Sequence, residues 1–166
     1  GSGRGGTALK IALGTDHAGL SLKEHVKPLL IEWGHQVRDF GTDTSEPIDY
    51  PDVVVPAARA VARGEADRAI VFGGSGNGEA MVANKIRGIR AALCHDVSTA
   101  RLSRQHNDAN VLALGARITG PAVAADIVRV WLEATFEGGR HARRIEKIHA
   151  LERAEENPGQ GEGGGS

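Results

Sequence analysis

The sequence has very little cysteine, few aromatic side chains and no excess of charge of either sign. Cys94 is the single cysteine among 166 residues, which excludes a framework of internal disulfides and suits a reducing compartment such as the cytoplasm. The 20 basic side chains balance 21 acidic ones, so the net charge gives no reason to expect binding to nucleic acid or to a membrane surface. The sequence has no run of 18 apolar residues, which argues against a membrane-spanning helix.

The two ends of the chain are rich in glycine and poor in side chains that could pack in a core. Such composition is typical of flexible segments. The first ten residues also lack the apolar stretch of a secretory signal. We therefore predict a flexible arm over residues 1–7, a single domain over residues 8–156 and a disordered tail over residues 157–166.

Between these ends, short apolar runs alternate with segments of helical periodicity. This alternation is typical of an α/β protein with a parallel sheet and helices on both faces, in which ligands bind beyond the carboxyl ends of the strands. Pro28 lies inside the first helix, where we expect a kink or a break. Strands are predicted at residues 9–13, 35–40, 68–72, 89–94 and 111–114, and helices at residues 20–33, 52–64, 79–88, 97–106, 121–136 and 140–155.

The most distinctive stretch reads RAIVFGGSGNGEAMVANK over residues 68–85. A predicted strand ends at Gly73, a glycine-rich loop follows, and Glu79 stands at the start of the next helix. Such a loop can bring backbone N–H groups close to an anion or a developing oxyanion. It lacks the Gly-Lys-Ser/Thr of a P-loop, which excludes that motif. Glu79 replaces the third glycine of a dinucleotide fingerprint, although Asp96 stands at about the right distance downstream, so that motif fits poorly. A plain strand-to-helix turn with Glu79 as an acidic residue of the first turn is the other interpretation.

Polar side chains at other strand and helix ends allow two interpretations each. Asp16 and His17 are either a helix cap with a surface histidine or a pair that binds a sugar hydroxyl or a phosphate. His106 either caps a helix, with Asn107 in the left-handed conformation, or transfers a proton near neutral pH.

Arginines could bind a phosphate through paired N–H donors. Arg117 follows the fifth strand, and Arg140 and Arg144 share one helical face, although a solvated face explains the last two as well. With no zinc-like cysteine and histidine spacing, the residues support proton transfer without metal or cofactor. Isomerisation of a sugar phosphate uses such a set. Beside helix N–H groups, Glu79 is expected to stay ionised at neutral pH.

Several segments resemble the ribose-5-phosphate isomerase type B family, which includes allose and galactose 6-phosphate isomerases. The resemblance implies a three-layer α/β/α sandwich with a five-stranded, Rossmann-like parallel sheet in the order 2-1-3-5-4. It also implies a homodimer or tetramer with active sites shared between subunits, and no cofactor. The matching segments follow one another in order over about residues 8–153: GTDHAG at 14–19, DYPD at 49–52, GSGNGE at 74–79, ANK at 83–85, LSRQHNDANV at 102–111 and GGRH at 138–141.

By the same resemblance, Glu79 is the catalytic base and His106 opens the sugar ring. One branch of the family uses a cysteine at the head of the loop; Gly73 excludes that mechanism here, and Cys94 does not replace it. The implied substrate-binding residues are Asp16, His17, Gly74, Ser75, Gly76, Asn77, Gly78, Asn107, Arg117, Arg140 and Arg144.

The expected reaction interconverts ribose 5-phosphate and ribulose 5-phosphate through a cis-enediolate. Two alternatives stay open at this point. The same chemistry could act on a tetrose 4-phosphate or a hexose 6-phosphate, or the chain could be a sugar-phosphate-binding module without catalysis.

Overall fold

The computed structural model describes residues 7–159 and shows strands and helices in regular alternation. Residues 1–6 and 160–166, which hold most of the predicted arm and tail, lie outside the described part. No helix within residues 7–159 has the length and apolar character needed to cross a membrane. The strands are β1 (Lys10–Thr15), β2 (Gln36–Asp39), β3 (Arg68–Gly73), β4 (Ala91–Leu93) and β5 (Val111–Gly115); the helices are α1 (Leu20–Glu32), α2 (Pro51–Ala62), α3 (Asn77–Ala83), α4 (Val97–Asn107), α5 (Pro121–Glu133) and α6 (Arg140–Glu156).

The five strands form one sheet in the order β2-β1-β3-β5-β4, and every pair of neighbours is parallel. The predicted fold class is confirmed, including the strand order that the resemblance implied. The polar strand β2 lies at an edge of the sheet, where polar side chains can face water. The register pairs Thr15 with Phe72 and Gly73 with Gly115, so the carboxyl ends of β1, β3 and β5 are level.

Side chains alternate along the central strands and build a separate core on each face of the sheet. One core contains Ile70 and Phe72 of β3 and is covered by α1, α4 and α5, while the other contains Ala69 and Val71 and is covered by α2 and α3. The alternation of large and small side chains thus produces the three layers. The largest buried side chains of the first core are Trp131, Phe72, Ile11, Leu13, Leu30, Ile70, Leu112, Leu114 and Ile127.

Two local expectations differ from the structure. The break considered at Pro28 does not occur: helix α1 continues through Pro28 to Glu32, and Val26 and Leu30 on either side of the proline are fully buried and hold the helix on the core. Helix α3 ends at Ala83, several residues before the predicted end. The Asn84 side chain explains the early stop, since it both donates to and accepts from the backbone of Ala91, at 3.0 and 2.8 Å.

Candidate active site

The loops that follow β1, β3 and β5 meet at the side of the sheet where the strands have their carboxyl ends, which we call the carboxyl edge; the opposite side, where the strands begin, is the amino edge. The three strands are parallel neighbours, so their carboxyl ends lie side by side, where open α/β sheets bind ligands. Most of the predicted site residues stand on these loops. We call them the carboxyl-edge cluster: Asp16, His17, Gly74, Ser75, Gly76, Asn77, Gly78, Glu79 and Arg117.

Arg117 is held against the glycine loop by backbone hydrogen bonds. The N–H of Ala116 donates to the carbonyl of Gly73 at 2.8 Å, and the N–H of Arg117 donates to the carbonyl of Gly74 at 2.9 Å. The guanidinium also lies beside the loop, with Nε 3.4 Å from the position that a Cβ on Gly74 would take. The arginine is exposed, so its charge is accessible to a ligand at this edge.

The shape of the glycine loop depends on close backbone packing. A side chain on Gly115, at the end of β5, would overlap with the backbone of Ser75. Gly76 has a φ of 85°, a left-handed conformation that costs glycine little. The Ser75 hydroxyl accepts the N–H of Asn77 at 3.2 Å. The loop is therefore fixed by its contacts with β5 and by its own turn.

The Glu79 side chain folds back from the first turn of α3 onto the end of β3. It is only 3% exposed. A Cβ on Gly73 would overlap with the Glu79 carboxyl group, so this carboxyl fills the space that a side chain at position 73 would occupy. A glycine at position 73 and a buried glutamate at position 79 therefore depend on each other.

Burial raises the pKa of Glu79 above its ordinary value of 4.5, and the negative charge of Asp16 raises the pKa further. A hydrogen bond to the residue's own backbone acts in the opposite direction but does not cancel the effect of burial. The raised pKa makes protonation of Glu79 begin at a higher pH than for an exposed glutamate. The expectation that Glu79 is ionised at neutral pH stays a prediction.

Asp16 and His17 are both held in place by backbone groups. The Asp16 carboxylate, 8% exposed, accepts the N–H of Gly19 at 3.0 Å and so closes the turn before α1. The N-cap of α1 is Gly19, without a side-chain cap, so the interpretation of Asp16 as the helix cap is wrong. His17 accepts the N–H of Ile48 through Nδ1 at 3.2 Å. In the neutral ring this leaves the proton on Nε2, so His17 can donate from Nε2.

Tyr50 is a neighbour of the cluster that the sequence prediction did not include. Its ring packs against Gly78, where an added Cβ would come 2.5 Å from Tyr50 Cζ. Tyr50 is 38% exposed and stands just before α2. It is the single tyrosine of the chain, and the DYPD segment that contains it was noticed only as part of the resemblance.

The other predicted site residues lie where α4 ends and α6 begins. We call this group the amino-edge cluster: His106, Asn107, Glu137, Arg140, His141 and Arg144. Glu137 and His141 were not predicted as site residues. A hydrogen bond from the Glu137 N–H to the Gln105 carbonyl, at 3.0 Å, ties the two segments together.

Within the amino-edge cluster, two histidines stack and share one carboxylate. The rings of His106 and His141 are 4.2 Å apart at an angle of 11°. Each Nε2 lies 3.6 Å from Oε1 of Glu137. Burial lowers the pKa of His141, and the charges of His106 and Arg140 lower the pKa further. The buried His141 therefore supports the face of the half-buried His106.

The end of α4 differs in one detail from the prediction. Asn107 is the last helical residue, and Asp108 adopts the left-handed conformation, with a φ of 47°. The Asp108 carboxylate and carbonyl are bound by Arg104 and Arg90, which holds the residue in this conformation. The Asn107 side chain is exposed beside His106.

Arg140 and Arg144 are both exposed on the first turns of α6. In the part of the chain that the structure describes, neither forms an ion pair, whereas Arg104, Arg90 and Arg153 do. The two guanidinium groups are therefore accessible to an anion from outside the chain.

The two clusters lie at opposite edges of the sheet. Each helix that follows a strand runs back along it, so α4 and α5 end near the points where strands begin. The Arg68 side chain at the start of β3 accordingly donates to the Trp131 carbonyl near the end of α5, at 3.0 Å. The five residues of β5 span about 16 Å at ~3.3 Å per residue. Glu79 and His106 of one chain are thus too far apart to act on one pentose phosphate.

One group of side chains in residues 7–159 has the composition of a metal site. The ligand atoms of His106, Glu137 and His141 lie within 4.8 Å of one another. Imidazole and carboxylate groups suit zinc. The two imidazole planes are nearly parallel, however, and both planes cannot point at one ion between them. The arrangement therefore fits stacking better than metal binding.

Comparison with known proteins gives consistent results. A profile of the Ribose/Galactose Isomerase family matches residues 11–148. Ribose-5-phosphate isomerase B of Escherichia coli is 50% identical over 143 residues, which cover 86% of this chain and 96% of that protein. D-erythrulose-4-phosphate isomerase of Pectobacterium atrosepticum is 44% identical over 150 residues, covering 90% and 99%.

A solved structure extends the likeness to three dimensions. Ribose-5-phosphate isomerase B of Mycoplasma genitalium, crystallised with bound ribulose-5-phosphate, superposes with a TM-score of 0.84 at 40% sequence identity. The superposition covers 87% of this chain and 96% of that one. The family profile, over residues 11–148, spans both clusters.

We predict that Gly73→Ala destabilises the fold through its contact with Glu79. The added Cβ overlaps with the carboxyl group, and we expect the free energy of unfolding to fall by about 1–3 kcal/mol. The loss should be smaller by about 1 kcal/mol or more in a Glu79→Ala background, where the overlap is absent. Urea denaturation of the four variants measures both values.

Gly120→Ala is the matched control, because its Cβ meets no atom within 4 Å and its φ is −70°. We expect this control to change stability little. An equal loss for Gly73→Ala in both backgrounds would contradict the proposed dependence of position 73 on position 79.

Proposed function

Because the chain belongs to the ribose/galactose isomerase family, we propose that it interconverts ribose 5-phosphate and ribulose 5-phosphate, with Glu79 as the base. The chain is a sugar-phosphate isomerase, and its pentose substrate is supported by the names of the E. coli and M. genitalium relatives. The observation on which the mechanism rests is the buried carboxyl of Glu79 beside the glycine loop.

In this mechanism Glu79 moves one proton between adjacent carbons. The carboxylate takes the proton from C2 of the open-chain aldose and leaves a cis-enediolate. The protonated Glu79 returns the proton to C1, while a proton passes from O2 to O1, so aldose becomes ketose with no net loss of atoms. Burial supports this role, because the raised pKa of Glu79 makes its ionised form a stronger base.

The remaining residues of the carboxyl-edge cluster stabilise charge and orient the sugar in this proposal. Backbone N–H groups of the glycine loop, residues 74–78, face the developing negative oxygen of the enediolate. Asp16 and His17 bind sugar hydroxyls or the phosphate, and Arg117 adds a positive charge at the same edge. Binding these remote groups orients the reacting carbons toward Glu79.

The amino-edge cluster completes the site from a second copy of the chain. We assign ring opening to His106, substrate contact to Asn107, and phosphate binding to Arg140 and Arg144. The separation of the two clusters supports a homodimer with shared sites, since one chain cannot bring Glu79 and His106 together.

Exposed apolar side chains on α6 support the same arrangement. The apolar side chains of this helix are only partly covered: Ile145 is buried, but Ile148 and Leu151 are 43% and 60% exposed. Both line a groove of about 770 Å³ that also includes Asn107. A second subunit would cover this surface.

The four-carbon alternative has its own support. The P. atrosepticum relative, 44% identical, is named for a tetrose phosphate, and the family description includes galactose. The same proton transfer serves all these substrates. Turnover on four-, five- and six-carbon aldose phosphates ranks the candidates.

We predict that Glu79→Gln abolishes most of the turnover while the protein stays folded. The amide cannot accept the C2 proton, so kcat should fall by about 10²–10⁴-fold. Incorporation of solvent deuterium into the sugar should fall equally, and both are measured on ribose 5-phosphate by NMR. Glu24→Gln, on the exposed side of α1, is the control that keeps full activity. Unchanged deuterium exchange in Glu79→Gln would exclude Glu79 as the base.

We predict that kcat/KM falls at low pH with a midpoint above 4.5, the ordinary pKa of glutamate. The base must be ionised, and protonation sets in at a higher pH because burial raises its pKa. Asp16→Asn should move the midpoint to lower pH, since the charge of Asp16 raises the pKa of Glu79. Asp126→Asn, exposed on α5, should leave the midpoint in place. A midpoint at or below 4.5 would count against this assignment.

We predict that two inactive variants restore activity when their subunits are exchanged. A mixed dimer of Glu79→Gln and Arg144→Ala has one site with both wild-type clusters, so random exchange gives at most about a quarter of wild-type activity. Subunits are mixed in mild denaturant and assayed after its removal. A mixture of Glu79→Gln and Glu79→Ala is the control without recovery. Equal activity of the two mixtures would argue against a shared site.

A further inference from the structure

Lys23 is a charged side chain in the interior of the protein, on the face of α1 that packs toward β2. It is 2% exposed. An ammonium group is buried at high cost unless its charge and its N–H donors find partners. The partners of Lys23 therefore show what this residue holds together.

The ammonium group contacts two carboxylates and one carbonyl around the end of β2. Nζ donates to Asp39 Oδ1 at 3.0 Å, to the Thr42 carbonyl at 2.6 Å and to Asp43 Oδ1 at 3.1 Å, and it also lies 2.8 Å from Asp39 Oδ2. These three acceptors use all three donors of the lysine. Two of the acceptors lie on the segment between β2 and α2, which we call the 41–50 loop.

The first part of the 41–50 loop is attached to the end of β1. The N–H of Thr15 donates to the Gly41 carbonyl at 2.8 Å, and the N–H of Thr42 donates to the Thr15 carbonyl at 2.7 Å. Thr15 is followed directly by Asp16 and His17. Lys23 thus binds the loop where it passes the carboxyl-edge cluster.

The second part of the same loop reaches the cluster directly. The N–H of Ile48 donates to Nδ1 of His17 at 3.2 Å, and the Tyr50 ring packs on Gly78. The first contact decides which nitrogen of His17 carries the proton. The second covers one side of the glycine loop.

We propose that Lys23 is a positioning residue that, through the 41–50 loop, keeps His17 in its Nε2-protonated form and Tyr50 on the glycine loop. With Nδ1 occupied by the Ile48 N–H, His17 presents Nε2–H as a donor to the oxygens of the substrate. This inference rests on the proposed function in one respect, namely that His17 binds substrate.

Lys27 provides a matched control on the same helix. It also binds Asp39, at 3.0 Å, but it is 38% exposed, and within residues 7–159 its side chain bonds to Asp39 alone. A variant of Lys27 loses a comparable ion pair without releasing Thr42 or Asp43. The difference between the two lysines therefore isolates the attachment of the loop.

The test compares Lys23→Met with Lys27→Met in the full-length protein. Long-range ¹H–¹⁵N spectra of the histidine rings report the tautomer of His17, whose signals are assigned by their loss in His17→Gln. We expect one Nε2–H tautomer in the wild type and in Lys27→Met, and a mixture of tautomers in Lys23→Met. KM for ribose 5-phosphate should rise about tenfold in Lys23→Met with kcat changed less than about threefold, because orientation is lost but the base is intact.

A second variant keeps the test decisive if Lys23→Met does not fold. Asp43 is 81% exposed, so Asp43→Ala removes one acceptor of the lysine without opening the core. It should shift the His17 tautomer and KM in the same direction by a smaller factor. An unchanged tautomer in folded Lys23→Met, or in Asp43→Ala where the former is unfolded, overturns the proposal. The spectra need no turnover, so an inactive wild type would refute the proposed function alone.

Discussion

Every crossover helix in a parallel sheet must carry the chain back along the strand before the next strand can begin. This constraint determines where the functional side chains of this protein lie. Residues that follow a strand, such as Glu79 after β3, reach the carboxyl edge, whereas residues at the end of a helix, such as His106 on α4, reach the amino edge. The separation of the two clusters is a property of the fold. A reaction that needs both clusters therefore needs two chains.

The carboxyl edge shows how closely backbone packing and acid–base chemistry are linked. Gly73 and Gly115 are paired in the register of β3 and β5. A side chain on Gly73 would overlap with the Glu79 carboxyl, and a side chain on Gly115 would overlap with the Ser75 backbone. The space at Gly73 is taken by the Glu79 carboxyl, which is thereby removed from water. Burial of a carboxyl disfavours its charged form, so the pKa of Glu79 rises for the same reason that its position is fixed. Burial of the Glu79 carboxyl therefore lowers the stability of the fold, while it makes the carboxylate a stronger base and fixes its orientation.

The fold was predicted well because its signals are local. A short run of apolar residues, such as Ala69 to Phe72, bounded by glycine and followed by a segment of helical periodicity, is enough to predict a strand buried on both faces. The lateral order of strands has no such signal, since the pattern of one strand does not specify its neighbours. That order came from the resemblance alone. The position of the glycine loop followed from the order of strand, loop and helix.

The site was predicted less completely, because several of its features depend on distant contacts. The stacking of His141 on His106 joins residues 35 positions apart in the sequence, and nothing in the charged pattern of α6 indicates it. The ionisation of Glu79 was predicted from its position at a helix start, which the sequence indicates. The burial that raises its pKa depends on the fold and is not visible in the sequence. The left-handed residue after α4 is Asp108 and not Asn107, because Arg104 and Arg90 bind it. Contacts of this kind appear only when the chain is folded.

The contacts of Lys23 show why the side chain that binds the 41–50 loop is charged and not apolar. A buried apolar side chain at this position could fill the volume, but it would take from the Thr42 carbonyl its lysine donor and from the Asp39 carboxylate one of three donors. An ammonium group satisfies acceptors from three directions, and it does so only when the loop that carries Thr42 and Asp43 is in place. The pKa of Asp39 is accordingly low: although its burial would raise the pKa, hydrogen bonds from Lys23, Gly41 and Lys27 outweigh burial. Directional bonds select one loop position where apolar packing would allow several. The same loop then reaches His17 and Gly78, so a charge in the interior is linked by hydrogen bonds and packing to the carboxyl-edge cluster.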